Sequence, residues 1–115
     1  MKTSTEAVVR NHLQVFLEQR GVGAILEDYD DNAHFHSEAK VYRGKQEIGE
    51  FFTNFIAGLP PGAIDNFTLR NLRTDGNLAY ITWSVGNDIP LGTDTFVVED
   101  GKIVQQTFAM VARKA

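Results

Sequence analysis

The stretch DTFVVEDGKIVQQTF, residues 94–108, predicts a β-hairpin near the C-terminal end of the chain. β-Branched and aromatic residues flank Asp100-Gly101, a dipeptide typical of tight turns between antiparallel strands. Because alternate side chains of a strand point to opposite faces, Asp94 shares a face with Phe96. If Phe96 points into the core, a carboxylate lies in the core with it.

The sequence before this hairpin predicts two further strands. The runs DNFTLRNLRTDG and NLAYITWSVGND are rich in strand-forming residues and meet at Asp75-Gly76, a second hairpin turn. Within the second run, Trp83 alternates with two aliphatic residues and is predicted to lie in the sheet interior. Pro90, together with Gly92, is predicted to break the chain between the middle pair of strands.

The first half of the chain predicts helices. An apolar stripe at helical spacing begins after Thr3 and Glu6, which resemble a capping box. Helices followed by antiparallel strands predict an α+β domain that spans residues 1–115. The predicted elements of this half are helices over residues 3–20, from 22 to about Tyr29, and from about Gly44 to the break GLPPG at 58–62, with a strand at 33–37 and its partner at 41–43.

Composition and charge exclude several classes of function. A net charge of -4 without any run of Lys or Arg predicts neither nucleic acid nor an anionic membrane as a partner. The chain has no cysteine, which excludes disulfides and thiolate metal sites. It shows neither a signal peptide nor an apolar segment long enough to span a bilayer, so a cytoplasmic location is expected. Eight Phe residues provide rings for a core and for the wall of a cavity.

His34, His36 and Glu38 occupy alternate positions, and imidazoles with a carboxylate are common metal ligands. A strand presents all three on one face, but neighbouring residues of that face lie about 6.6 Å apart, and the outer two about 13 Å. Metal ligands must converge to within about 2.0–2.2 Å of the ion. Phe35 is predicted to turn the opposite face to the core. The sequence therefore predicts no metal site and places the histidines on the outer surface.

Adjacent carboxylates at Asp30 and Asp31 are compatible with an acid pair. In a turn between a helix and a strand, however, aspartates commonly accept hydrogen bonds from backbone amides, and this interpretation is preferred. Arg43 is a candidate ion-pair partner for Asp31.

Three stretches, in their order and spacing, resemble the nuclear transport factor two-like superfamily, especially its SnoaL-like and ketosteroid isomerase-like branches. They are AILEDYDDNAHF (24–35), YRGKQEIGEFF (42–52) and DTFVVEDGKIVQQTF (94–108). The resemblance covers most of the chain. It implies an α+β fold in which a strongly curved, mixed but mainly antiparallel sheet forms a cone-shaped barrel on three N-terminal helices, with an internal pocket. It also implies a homodimer, and it leaves the activity open because this scaffold hosts both enzymes and non-catalytic domains.

Ketosteroid isomerase-like chemistry needs a carboxylate base near the substrate and donors that stabilise a developing oxyanion. The resemblance puts Ser37 where the base is expected and Phe16 approximately where a phenol is expected. Serine is too weak a base for that step, and phenylalanine cannot donate a hydrogen bond. The familiar steroid isomerase activity is therefore not predicted.

Asp94 is the strongest candidate for acid–base chemistry, since desolvation raises the pKa of a carboxylate on an inward strand face. The alternative is a strand-end aspartate that lies in water or bonds a nearby backbone amide. Tyr29 and His12 are candidate donors to a substrate oxygen, although each residue type is also common as a half-buried core residue. The candidate substrate-binding residues are mostly aromatic: Phe16, Phe35, Phe52, Phe55, Trp83, Phe96, Gln106 and Phe108.

These residues predict a site for a small molecule. The leading hypothesis is a pocket protein for an apolar or aromatic-containing molecule, which it isomerises, dehydrates or cyclises by acid–base catalysis without a cofactor. The alternative is a non-catalytic ligand-binding or dimerisation domain of the same fold. The missing base and phenol favour that alternative.

Overall fold

The computed structural model of the protein describes residues 4–113 and contains, within them, three α-helices and six β-strands. Helices that precede a mainly antiparallel sheet confirm the predicted α+β class. A short 3₁₀ turn, Ile64–Asn66, precedes the third strand. The elements are α1 (Thr5–Leu17), α2 (Val22–Leu26), β1 (Tyr29–His36), β2 (Val41–Arg43), α3 (Gly44–Ala57), β3 (Phe67–Asp75), β4 (Leu78–Val85), β5 (Ile89–Glu99) and β6 (Lys102–Val111).

The six strands form one sheet in the order β2-β1-β6-β5-β4-β3. All neighbouring pairs are antiparallel except β1 and β6, which are parallel, so the sheet is mixed and mainly antiparallel as predicted. The sheet is open, with β2 and β3 at its edges, and the predicted closure into a barrel is therefore wrong. Because β1 lies beside β6, residues from both halves of the chain meet in the core.

Helix α1 begins differently from the predicted capping box. Ser4 is the N-cap, and its Oγ accepts a hydrogen bond from the amide of Ala7 at 3.1 Å. Glu6 forms an ion pair one turn further along the helix instead, and Thr3 lies outside the described residues. The buried face of the helix consists of Val8, Val9, His12 and Val15, so its histidine belongs to the inward stripe.

Tyr29 is the first residue of β1 rather than the last residue of the second helix, which ends at Leu26. The acidic run 30–32, predicted as a turn, lies within β1 and forms an irregularity there, because the pairing with β6 shifts register between Tyr29 and His34. Extra residues of this kind bend a strand. The predicted local bond is confirmed, since Asp30 Oδ2 accepts from the amide of Asn32 at 2.9 Å.

Pro90 and Gly92 lie inside β5, so the break predicted there is wrong; the chain turns earlier, at residues 86–88. The register of β4 against β5 shifts between Trp83 and Val85, where Pro90 lies in the opposite strand. Such a bulge tolerates proline because its backbone makes no regular ladder bond there. A Cβ on Gly92 would lie 2.2 Å from Trp83 Cε2. The glycine is therefore needed for the indole to lie against this strand.

The core lies between the helices and the inward face of the sheet. Buried residues alternate along β4 and β5, which confirms the predicted inward positions of Trp83, Asp94 and Phe96. Most buried residues are apolar, and His12 and Gln106 join Asp94 as buried polar residues. None of the helices within residues 4–113 has the length and apolar character needed to cross a membrane.

Candidate functional site

The carboxyl group of Asp94 lies in the core and has two hydrogen-bond donors. Trp83 Nε1 donates to Asp94 Oδ1 at 2.7 Å, and Gln106 Nε2 donates to Asp94 Oδ2 at 2.7 Å. The donors come from β4 and β6, the two neighbours of β5 in the sheet. Because Asp94 is only 7% exposed, the alternative of a strand-end aspartate in water is wrong.

Gln106 connects this carboxylate to Tyr29. The Tyr29 hydroxyl donates to Gln106 Oε1, so the amide accepts on one side and donates to Asp94 on the other. The parallel pairing of β1 with β6 brings these strands together. Tyr29, Gln106, Asp94 and Trp83 are all buried, so the bonds between them are shielded from water and correspondingly strong.

Burial raises the pKa of Asp94 from 3.8 to about 7, although the hydrogen bonds from Trp83 and Gln106 act in the opposite direction. Both donors are neutral, so neither supplies a counter-charge. A group with a pKa near 7 can take up and release a proton at neutral pH. Burial also raises the pKa of Tyr29 well above 10.0, and the negative charge of Asp94 adds to this effect. Tyr29 is therefore a neutral donor.

His12 is buried on α1, and its Nδ1 has no hydrogen-bond partner among the described residues. Its ring makes edge contacts with Tyr29, Phe52 and Phe96 at centroid distances of 5.6, 5.9 and 5.6 Å. Burial lowers the pKa of His12 from 6.5 to about 4, so the imidazole is neutral at pH 7. An unpaired buried polar atom costs about 1–3 kcal/mol. A ligand that bonds to Nδ1 would recover this cost.

A cavity, here called the aromatic cavity, lies beside Asp94 between the helices and the sheet. It offers about 60 Å³ to the centre of a water-sized sphere, whereas one water needs about 10–15 Å³. Asp94, His12 and Gln106 lie on its wall. Among the described residues, Asp94 is the only carboxylate that lines it, and no Lys or Arg does.

All eight candidate substrate-binding residues lie on the wall of the aromatic cavity, and so do Asp94 and His12. Whether they contact a substrate stays a prediction. Tyr29 does not line the cavity and reaches it only through its bond to Gln106. The eight residues are Phe16, Phe35, Phe52, Phe55, Trp83, Phe96, Gln106 and Phe108.

Two aromatic residues of the wall were not among the candidates. Phe51 lies 4.4 Å from Phe35 between ring centroids, and Phe67 stacks on Trp83 at 5.7 Å. Helical spacing could have identified Phe51, which lies four residues before Phe55 on the same face of α3. Phe67 begins β3 directly after the 3₁₀ turn, and no local pattern indicates its direction.

Ser37 is not on the cavity wall. It follows β1 in the turn to β2, where its Oγ donates to the carbonyl of Lys40 and accepts from the amides of Ala39 and Lys40, at 3.1–3.2 Å. Its hydroxyl therefore stabilises a turn. Phe16, at the approximate position expected for a phenol, does line the cavity, but its ring has no donor.

His34 and His36 lie on the face of β1 opposite to the buried Phe35, as predicted. His36 Nε2 lies 2.8 Å from Gln105 Oε1, and His34 Nε2 lies 3.5 Å from the guanidinium of Arg43. In the part of the chain that the structure describes, no three His, Cys, Asp or Glu residues are grouped so as to hold a metal ion. The two imidazoles instead contact neighbours on the outer sheet surface.

Asp31 pairs with Lys45, at 3.5 Å between Oδ1 and Nζ, so the predicted pairing with Arg43 is wrong. Arg43 is the register partner of His34 on the adjacent strand and turns towards it. Exposed ion pairs contribute about 0–1 kcal/mol. This pair is a surface feature with no contact to the aromatic cavity.

Solved structures show the same fold. An NTF-2 like protein of unknown function from Burkholderia xenovorans LB400 has a TM-score of 0.76 and 20% identity, over 96% of this chain and 85% of that chain. A putative polyketide cyclase from Sinorhizobium meliloti has a TM-score of 0.71 and 16% identity, over 89% and 93%. TerC, co-crystallised with polyporic acid, has a TM-score of 0.71 and 13% identity, over 95% and 92%. The fold is therefore NTF2-like.

The family is defined by the sequence match. The SnoaL-like domain family matches residues 9–106, which is most of the chain, and the protein belongs to this family. The resemblance found in the sequence to the SnoaL-like proteins of the NTF2-like superfamily is thus confirmed. No curated protein matches the chain by sequence. Membership leaves the reaction open, because function depends on the residues of the site.

Proposed function

We propose that the protein binds a neutral, ring-containing organic molecule in the aromatic cavity and isomerises, dehydrates or cyclises it by acid–base catalysis. Asp94 takes up and releases the proton, a step that needs no cofactor. The observation that carries the proposal is the position of Asp94 as a buried carboxyl group on a mainly apolar wall, held by two neutral donors.

The hydrogen bonds of Asp94 determine how it acts. Each carboxylate oxygen accepts one bond from the protein, and each keeps a lone pair for a ligand. As a base, Asp94 removes a proton from the ligand and keeps it, because burial favours the neutral acid. As an acid, it delivers a proton to another atom of the same ligand, so the reaction has no net change in protons. Neutral His12 bonds to the ligand oxygen on which charge develops.

The wall of the cavity selects the substrate class. Trp83 lies between Phe67 and Phe108, at centroid distances of 5.7 and 6.3 Å and interplanar angles of 26° and 11°. A flat ring packs well on such surfaces, in offset or edge contacts. An anionic group is disfavoured, since no cation of the described residues faces it. We further propose that the bulged sheet curves around this space as a cone. The substrate proposed for it is a neutral ring with a ketone, enone or hydroxyl group.

Exchange of α-protons measures this chemistry without knowledge of the natural substrate. We expect the protein to accelerate the exchange of 2-cyclohexenone protons in D₂O by about 10²–10⁴-fold, as followed by proton NMR. Asp94→Asn should lose this acceleration. The matched control is Asp75→Asn, which removes an exposed carboxylate at the end of β3. A folded Asp94→Asn variant that keeps the full rate would exclude Asp94 as the acid or base.

A non-catalytic ligand-binding domain is the second candidate. It is favoured by the hydrogen bonds of Asp94, because both oxygens have protein donors without any ligand. It is also favoured by Phe16, which lines the cavity where a phenol was expected. This candidate predicts that 2-cyclohexenone shifts the NMR signals of cavity residues, while neither the wild type nor any variant accelerates exchange.

The outward face of β4, β5 and β6 supports a homodimer as part of the proposal. Its three central cross-strand rows contain no charged residue, although 23% of the chain is charged; the charged pair Glu99–Lys102 lies at the hairpin end of the face. Interface cores are depleted of charge. Thr95→Lys, in the middle of this face, is expected to convert a dimer to a monomer in size-exclusion chromatography with light scattering. Thr74→Lys, at an exposed position of β3, should leave the dimer intact. A monomeric wild type would refute this part. The rows are Leu78–Val97–Gln105, Tyr80–Thr95–Thr107 and Thr82–Thr93–Ala109.

A further inference from the structure

A second space, here called the outer cleft, adjoins the aromatic cavity. It offers about 440 Å³ to the centre of a water-sized sphere, against about 60 Å³ in the aromatic cavity. It lies between the C-terminal ends of α1 and α3, helix α2 and the GLPPG segment. Four residues line both spaces and form the wall between them, here called the partition: Phe16, Leu59, Ala63 and Ile64.

We propose that the outer cleft is a second compartment of the ligand site. It holds an extension of the molecule whose ring occupies the aromatic cavity, so the inference rests on the function proposed above. The ligand class is a neutral ring that carries an apolar chain with a hydroxyl or ammonium group at its far end.

The segment that carries three of the partition residues, Leu59, Ala63 and Ile64, has few backbone hydrogen bonds to the sheet. The amides of residues 58, 59 and 63 donate to carbonyls of residues 54–56 and 60, all within this segment or the last turn of α3. Pro60 and Pro61 have no amide hydrogen to donate. The segment joins the sheet at its far end, where the amide of Gly86 donates to the carbonyl of Asn66 at 3.1 Å. Leu59 is only partly buried, and regions with few buried apolar contacts open at low cost, so its side chain can swing aside for a chain to pass.

The residues around the outer cleft suit an apolar chain with a polar end group. Ile25 and Ile56 give it apolar surface, and Ile56 is 39% exposed to solvent. Its polar side chains are Gln19 and Asp65. An amide and a carboxylate favour a hydroxyl or ammonium end group. No Lys or Arg within residues 4–113 lines the cleft, so a carboxylate or phosphate end group finds no partner there.

A series of 4-alkylphenols tests the proposal by isothermal titration calorimetry. From 4-ethylphenol to 4-hexylphenol, the affinity of the wild type is expected to rise about fourfold for each added methylene. Ile56 lines the outer cleft but not the aromatic cavity. Ile56→Trp should therefore abolish the gain with chain length and leave 4-ethylphenol binding unchanged. Asn54→Trp, exposed on α3 and in neither space, is the matched control and should behave as the wild type.

The outcomes separate this proposal from the proposed function. If 4-ethylphenol shifts the NMR signals of Asp94 and longer chains bind no more tightly, the outer cleft is not a compartment, and the proposed function stands. If longer chains bind more tightly but Ile56→Trp keeps the gain, the chain lies elsewhere and the proposal is overturned. If neither 4-ethylphenol nor 2-cyclohexenone binds, the proposed function fails, and the second compartment fails with it.

Discussion

Replacement of Asp94 by asparagine is expected to change how the stability of the protein depends on pH. The pKa of Asp94 is raised from 3.8 to about 7 in the folded protein. Since the folded state holds this proton more tightly than the unfolded state, the contribution to stability is fully present below pH 3.8 and is lost as the pH rises to about 7. At about 1.4 kcal/mol for each pH unit, the loss is about 4 kcal/mol.

His12 acts in the opposite direction. Its pKa is lowered from 6.5 to about 4, so its contribution to stability is present above pH 6.5 and is lost as the pH falls to about 4. The same conversion gives about 3 kcal/mol. Between about pH 4 and 6.5 the two slopes cancel, and these two groups together leave the stability of the wild type nearly constant.

Asp94→Asn removes the pH dependence of stability that comes from Asp94 and leaves the one that comes from His12. The free energy of unfolding of the variant, minus that of the wild type, is expected to rise by about 4 kcal/mol between about pH 4 and 7. In addition, the variant is destabilised at every pH by about 1–3 kcal/mol, because the new amide NH₂ faces the Gln106 NH₂ and two donors cannot bond to each other. Contributions from all other groups cancel in the difference.

The assay is urea unfolding followed by circular dichroism at four values between about pH 4 and 7.5. Asp75→Asn, which removes an exposed carboxylate at the end of β3, serves as the control for the loss of one acidic side chain. If the curve for Asp94→Asn stays parallel to that of the wild type at every pH, the carboxyl is not protonated through burial, and the argument for its acid–base role is refuted.

Three further substitutions test the network around Asp94. Tyr29→Phe leaves Gln106 Oε1 without its donor and should lower the free energy of unfolding by about 1–3 kcal/mol in urea; an unchanged midpoint contradicts the bond. Trp83→Phe removes a bond that lowers the pKa of Asp94, so this pKa should rise further in a carbon-13 NMR titration, and a fall would count against the assignment. Gly92→Ala brings a Cβ to 2.2 Å from Trp83 Cε2 and should destabilise the fold by about 1–3 kcal/mol and shift the tryptophan fluorescence. Wild-type stability and emission in this variant would show that the strand can retreat.

The inward direction of Asp94 could be predicted from one strand alone. Strand geometry fixes its face relative to Phe96, and the apolar ring fixes which face is buried. The aromatic wall could be predicted for a similar reason, since most large apolar side chains in a small α+β domain are buried in its core. Both inferences need only local pattern and burial, which sequence determines well.

The hydrogen-bond network could not be predicted in the same way. The chain from Tyr29 through Gln106 to Asp94 depends on β6 lying between β1 and β5, and a strand pattern does not specify the order of strands. Local preference was also misleading where the tertiary structure overrides it. The turn-forming residues 30–32 form an irregularity in β1. Pro90 lies at the register shift between β4 and β5, and Gly92 leaves room for the Trp83 ring.

The aromatic cavity reverses the usual order of proton affinity between histidine and aspartate. In water the proton prefers the histidine, with pKa values of 6.5 and 3.8, but in this core the values are about 4 for His12 and about 7 for Asp94. Between these values the cavity holds a neutral acid and a neutral base instead of an ion pair. Groups whose environments shift their pKa values apart are suited to the roles of acid and base. The pH profile of proton exchange separates the assignments: a rise through about pH 7 makes Asp94 the base, whereas a maximum between about pH 4 and 7 makes His12 the base and Asp94 the acid.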